Sequence, residues 1–275
     1  MFRSFSFLLF LLVLFLPTVG GAVSPDSISS PYPAHAHNDY VHERPLYEAL
    51  ENGFRSIEAD VFSEGDSLFV AHDRKDIRPG RTLRELYLEP LGKYFSQGRE
   101  TIYDSTNPLI ILIDIKDNGL TTYQLLDRIL HAYREMLCQV SPDGYSGGNL
   151  MVLVSGNRPI KFISEQSQRF AFVDGRLKDL TTTYPPELMP LISDRWDKYF
   201  SWRGHGEMPE TERVKLRSYV ERAHERGQLI RFWATPDEPG EEREAVWTEL
   251  LNAKVNLINT DDLCGLRMFL SARGG

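Results

Sequence analysis

Cysteine is scarce. Two residues in 275 cannot frame a disulfide-built scaffold. A basic excess is missing as well: 31 Lys+Arg stand against 39 Asp+Glu, a formal net charge of −8. That balance excludes a broad polyanion binder, and no nucleic-acid partner is expected. No glycine-rich phosphate turn follows the first apolar run, which disfavours an open dinucleotide-binding sheet. No Walker loop occurs, and Val154-Ser155-Gly156-Asn157 lacks the first glycine of a nucleophile elbow. Internal repeats and low-complexity blocks are also absent. What remains is ordinary globular composition, 41% hydrophobic and 25% charged.

One apolar run stands apart, FRSFSFLLFLLVLFL over residues 2–16, followed by the small residues Val19-Gly20-Gly21-Ala22. A basic start, a short apolar core and a small-residue end describe a secretory signal peptide over residues 1–22. The run is shorter than the ~20 residues of a spanning helix; an uncleaved N-terminal anchor is the alternative. Residues 23–33, rich in Ser and Pro, read as a linker, and residues 34–275 as the folded domain. The expected location is secreted, periplasmic or extracellular. In such an oxidising compartment Cys138 and Cys264 either pair or remain as two separate thiols.

From residue 34 on, short apolar runs alternate with helical patterns. The runs are a short one near Ala34–His37, then 54–61, 108–115, 149–155, 169–174, 190–193, 229–234 and 255–260. Near-continuous Val, Ile, Leu and Phe content marks strands buried on both faces of a parallel sheet. Helical patterns cover 44–53, 121–137, 210–227 and 243–253, while 141–148 reads as a turn-rich loop. Eight strands, most followed by a helix, predict an α/β fold: a single, somewhat irregular (β/α)8 TIM barrel, expected to be a monomer.

Active sites of such barrels sit at the C-terminal strand ends, and there polar residues crowd. The first run ends in His35-Ala36-His37-Asn38, the second in Glu58-Ala59-Asp60, an excursion in His72-Asp73, and the third in Asp114-Ile115-Lys116. Residues i and i+2 of a strand share a face, so Glu58 and Asp60 project side by side, as do Asp114 and Lys116. Neighbouring carboxylates repel in low dielectric, and a hard cation, Mg²⁺ or Ca²⁺, relieves that repulsion. Lys116 is then placed to meet a phosphate oxygen. His35, His37 and His72 offer general acid/base chemistry beside the carboxylates. Arg158, Trp233 and Asn259, at later strand ends, are candidates for gripping a head group. A glycoside hydrolase would use paired carboxylates too, but would leave the histidines and Lys116 unexplained.

The ordered set His35…Glu58-Ala-Asp60…His72-Asp73…Asp114-Ile-Lys116 resembles the phospholipase C-like phosphodiesterase superfamily, which includes glycerophosphodiester phosphodiesterases and sphingomyelinase D-type enzymes. HAHNDY, SGNRP and INTDDL look like the branch containing altered inheritance of mitochondria protein 6. The resemblance implies His35 and His72 as the acid/base pair, with His37 the alternative to His35. It implies Glu58, Asp60 and Asp114 as Mg²⁺ or Ca²⁺ ligands, Lys116 as a phosphate contact, and His37 and Asn38 near the substrate. The implied substrate is a small-molecule or lipid phosphodiester, with membrane contact only at the surface if it is a lipid. Two departures stand out. The His-Arg-Gly opening of glycerophosphodiesterases is absent, and Asp114 replaces the usual Glu. A catalytically silent barrel that binds a phosphorylated ligand or a protein is the rival from another class.

Overall fold

Side chains of a strand alternate between its two faces, so a strand closed into a barrel sends every second residue inward. The computed structural model, which describes residues 30–97 and 101–273, is built on that period. The expected signal peptide and most of the linker lie outside the described residues. Eleven strands occur among the described residues: β1 (Tyr32–Ala36), β2 (Phe54–Glu64), β3 (Ser67–Val70), β4 (Leu109–Ile115), β5 (Gln139–Ser141), β6 (Gly144–Ser146), β7 (Leu150–Gly156), β8 (Ala171–Gly175), β9 (Leu191–Arg195), β10 (Leu229–Trp233) and β11 (Leu257–Thr260). Between them come α1 (Tyr47–Glu51), α2 (Glu89–Ser96), α3 (Gly119–Leu130), α4 (Ile160–Glu165), α5 (Trp196–Tyr199), α6 (Glu210–Glu225), α7 (Glu241–Asn252) and, at the end, α8 (Leu263–Ser271).

Eight of these strands, β1, β2, β4 and β7 to β11, pair in parallel. The sheet closes because β1 bonds both β2 and β11. The predicted TIM barrel is therefore present, with all eight strands where the apolar runs place them. The strand excursion is β3, which folds back antiparallel on β2 and carries His72 to the mouth. Two local expectations fail. The helix predicted over 121–137 ends at Leu130 and tightens into a 3₁₀ segment over His131–Met136. The loop predicted over 141–148 contains the β5–β6 hairpin. Gly144, at φ 109°, supplies the left-handed turn that a side chain would resist.

The outward faces of the strands carry residues such as Ile57, Ala59, Ile111, Ile113, Val152 and Val154, which pack with Leu126, Ile163, Leu216, Trp247 and Leu266 of the helices. The barrel interior is stratified. At its lower end Ile110, Leu112, Leu153, Phe172, Leu191 and Leu257 form a separate apolar cluster, closed off by Cys138. One register step higher the inward residues turn polar. Ser56 and Asn259 flank His35, and Asp60, Asp114 and Ser155 stand in one row across β2, β4 and β7. Cys138 is buried, Cys264 is exposed, and both are free thiols.

The loop after β1 is held by a buried carboxylate. Asp39 accepts from the Leu46 amide at 2.7 Å and from the Tyr87 hydroxyl at 2.8 Å, which fixes the turn where Leu46 takes φ 68°. Burial pushes Asp39 up to about 6 despite these two bonds. Between its ordinary carboxylate range and that value, folded Asp39 keeps a proton that the unfolded chain has released. Its stability contribution is therefore present below pH 4 and is lost as pH rises through 6. Asp39→Asn retains an acceptor and should gain on the wild type by up to about 3 kcal/mol between pH 4 and 7; urea denaturation of both proteins across that range checks this.

Candidate active site and metal centre

Three carboxylates meet at the mouth. Glu58, Asp60 and Asp114 each offer an oxygen, and these oxygens all lie within 4.8 Å of one another. In each group one oxygen is held by the protein. Glu58 Oε2 accepts from His35 Nε2 at 3.0 Å and lies 3.4 Å from Arg231 Nη1. Asp60 Oδ2 takes the Tyr40 hydroxyl at 2.7 Å and Lys116 Nζ at 2.9 Å, with His72 Nδ1 at 3.2 Å. Asp114 Oδ1 faces Lys116 Nζ at 3.4 Å. The second oxygens differ: Asp60 Oδ1 is buried with no partner among the described residues. An unpartnered buried carboxylate oxygen is costly, and three such groups crowded together fit a hard cation as monodentate ligands.

The electrostatics agree. Burial raises Asp60, and the Glu58 charge adds to that more than Lys116 and Tyr40 offset. Burial also lifts Asp114 to about 6 against the pull of Lys116. Glu58 behaves oppositely: burial would raise it, but the His35 hydrogen bond and Arg231 hold it well below the usual carboxylate range.

The backbone leaves room for this cluster. Gly156, at the end of β7, takes φ 63°, and a Cβ there would collide with Asp114 Oδ1 and with the Ile115 carbonyl. Glycine is needed at this position twice over, for its dihedral and for the space.

The histidines separate by burial. His35 is fully buried; its Nε2–H goes to Glu58 and its Nδ1 accepts from Ser56 Oγ at 2.8 Å. Burial and Arg231 push it down to about 3. His35, expected as a catalytic acid or base, thus lies beneath the carboxylates with both ring nitrogens in hydrogen bonds. A neutral ring with both nitrogens engaged in this way orients Glu58. His37, two residues on, also points inward and stands one level nearer the mouth. Its side chain is 29% exposed and its Nδ1 donates to Asp261 Oδ1 at 2.8 Å. Only Asn38 Nδ2, at 3.5 Å, approaches its Nε2. Burial would lower His37, but Asp261 and Glu58 outweigh it and raise its pKa. His72 is 62% exposed and is anchored at Nδ1 alone, by Asp60 and by the Tyr40 oxygen at 3.1 Å. Tyr40 reaches Asn38 Oδ1 at 2.9 Å, so one polar chain connects His37, Asn38, Tyr40 and His72.

The other expected residues divide. Lys116 stands at the carboxylates, as its spacing predicts. Arg158 donates to the Asp174 carbonyl beside Arg176, whose Nη1 meets Asp174 Oδ2 at 2.6 Å; both feel the Asp114 charge. Trp233 ends β10 with the Arg195 guanidinium 5.3 Å from its ring centre. Asn259 is 5% exposed and accepts from Arg231 Nη1 at 3.1 Å. There, below the mouth, it supports Arg231. Sequence reasoning missed Arg231, Arg176, Tyr40 and Asp261. Arg231 had a visible signal, a lone cation inside the apolar run LIRFWA. Arg176 and Asp261 continue the inward parity of β8 and β11.

Residues 26–174 match the AIM6-like phosphodiesterase domain, more than half of the chain. The chain belongs to the AIM6-like phosphodiesterase family. A second, short match, residues 230–263, is to the glycerophosphoryl diester phosphodiesterase family. A similar protein is the altered inheritance of mitochondria protein 6 homolog of Arthroderma benhamiae, 30% identical over 85% of this chain and 82% of that protein. Altered inheritance of mitochondria protein 6 of Eremothecium gossypii is 28% identical over 86% of this chain and 68% of its own length. Two solved structures from Parabacteroides distasonis share the fold. One is a glycerophosphodiester phosphodiesterase (TM-score 0.53, 15% identity, 88% of this chain and 98% of that one). The other is a glycerophosphoryl diester phosphodiesterase (TM-score 0.55, 12% identity, 89% and 87%). As an AIM6-like phosphodiesterase, the barrel is a phosphoric diester hydrolase, and its acidic triad supports metal-dependent hydrolysis.

Saturating Mg²⁺ or Ca²⁺ should raise the melting temperature, because a ligand bound only by the folded state stabilises it. Calorimetry should show the rise absent in Asp114→Asn. Gly156→Ala should weaken cation binding by at least tenfold in titration calorimetry, by displacing the Asp114 carboxylate.

Proposed function

We propose that this AIM6-like enzyme is an exported phosphodiesterase acting by histidine acid/base catalysis, with His37 and His72 as the pair. The observation that carries the assignment is that both rings are fixed at Nδ1 by a carboxylate, Asp261 or Asp60, while both side chains keep solvent exposure. A His anchored this way is held in one tautomer and orientation, which proton transfer requires. His37, whose pKa is raised, is the general acid. His72 is the base.

In this reading Glu58, Asp60 and Asp114 hold a Mg²⁺ or Ca²⁺ ion. Such an ion supplies Lewis-acid polarisation of the phosphoryl group when bound. The remaining chemistry belongs to the chain. Lys116, Arg158 and Arg176 meet charge on the phosphoryl oxygens. His72 Nε2 takes the proton of the attacking hydroxyl, from water or from the substrate itself, as the new P–O bond forms. His37 Nε2 gives its proton to the departing alkoxide as the old P–O bond breaks. A substrate hydroxyl as nucleophile would leave a cyclic phosphate. His35 and Arg231 keep Glu58 ionised and oriented from below. Asn38, in the left-handed region at φ 48°, places its side chain between His37 and Tyr40. Trp233 is a candidate wall for the head group. Export is supported by the pattern of residues 1–22.

A panel of phosphodiesters assayed with EDTA and with added Mg²⁺ or Ca²⁺ tests this. EDTA should abolish turnover, and His37→Ala or His72→Ala should each lower kcat by roughly 10²–10⁴. Full activity in EDTA would overturn the metal role. Asp261→Asn removes a carboxylate that raises the His37 pKa, so the alkaline limb of the pH–rate profile should move to lower pH; an unmoved limb would reassign the acid.

A further inference from the structure

A pocket of about 330 Å³ opens beside the carboxylates, sharing Tyr40 and His72 with the site. Its walls are otherwise Val41, Val70 and Ala71 on the apolar side, and Asp76, Arg78 and Arg81 on the polar side. The two arginines matter for where they stand, on the wall of a pocket that shares Tyr40 and His72 with the site. The formal net charge is −8, and most arginines near the mouth are paired: Arg74 with Glu64 and Asp117, Arg176 with Asp174 and Arg231 with Glu58. Arg78 and Arg81 have no carboxylate within 4.0 Å among the described residues, Asp76 included. Arg81 is anchored through Nη2 to the Tyr40 carbonyl, so its guanidinium is fixed relative to the residue that also binds Asp60. Arg78 is exposed at the rim.

Unpaired guanidiniums with an apolar floor fit an anion carried on a short carbon skeleton, since the planar fork matches carboxylate and phosphate oxygens. Resting on the phosphodiesterase reading, we propose that Arg78 and Arg81 form a second anion subsite. The substrate it selects is a phosphodiester whose alcohol bears a further negative group, a carboxylate or a phosphomonoester. The reacting phosphate sits at the carboxylates and Lys116, the skeleton crosses His72 along Val41 and Ala71, and the second anion meets the two arginines. In an acidic protein this pair also gives an anionic substrate a local attraction that the overall charge denies it.

The test uses aryl alkyl phosphodiesters whose alkyl arm ends in carboxylate, phosphate, hydroxyl or trimethylammonium, assayed on the full-length enzyme with Mg²⁺. The wild type should favour the anionic arms over the hydroxyl arm about tenfold in kcat/KM, mostly through KM. Arg78→Gln and Arg81→Gln should each bring that ratio toward one, and Arg78→Glu should shift preference toward trimethylammonium. Preference for the hydroxyl or cationic arm in the wild type, or an equal loss on all four arms in the variants, would overturn the subsite. Non-hydrolysable phosphonates with the carboxylate and the phosphomonoester arm, titrated by calorimetry, say which anion is preferred and read binding without turnover. If no phosphodiester is cleaved, the catalytic reading falls; tighter carboxylate-arm binding that Arg78→Gln abolishes would still sustain the subsite, and equal binding of all arms would end it.

Discussion

The structure is organised around the repulsion among three carboxylates brought within 4.8 Å of one another. Left alone in a dry barrel they would take up protons, and burial already drives Asp60 and Asp114 that way. The surrounding residues limit this from two sides. Beneath, His35 and Arg231 secure Glu58; above, Lys116 and Tyr40 secure Asp60. Each donor takes the same oxygen of its carboxylate, so the cluster is aimed rather than neutralised. Two cations against three anions leave a deficit that a divalent ion reverses, and the resulting local charge suits a singly charged diester.

Fixing those donors requires a second tier of polar groups inside the barrel, and that tier has its own supports. Arg231 leans on Asn259, His35 on Ser56, and Arg176 on Asp174, which in turn takes Ser155 and Ser193 hydroxyls at 2.8 Å. Buried polar groups are inexpensive only when satisfied. This explains why serine and asparagine occupy interior positions that a barrel with no site would fill with Val or Leu.

Much of this could be read from the chain before any coordinates. Eight apolar runs gave the closed sheet, and the i, i+2 spacing put Glu58 beside Asp60. What stayed hidden was depth. His35 and His37 have the same parity, and one residue pair along a strand separates a sealed ring from an accessible one; no local pattern encodes that step. Depth also sets Asn259 against Arg231 rather than at the rim. Arg231 was overlooked because its neighbours are apolar, although parity aims it inward with Glu58. The β5–β6 hairpin hid in a stretch whose turn residues outnumber its strand formers. The family resemblance supplied roles, and burial favours His37 over His35 for one of them.

The apolar cluster of Ile110, Leu112, Leu153, Phe172, Leu191 and Leu257 seals the lower end of the barrel, with Cys138 closing it. Among the described residues the barrel is thus closed below and polar above, a cup with its groups at the rim. Both products of diester cleavage, the alcohol and the phosphomonoester, then lie on the open side of that seal. The floor that keeps water out from below leaves the rim as the side from which the site is wetted.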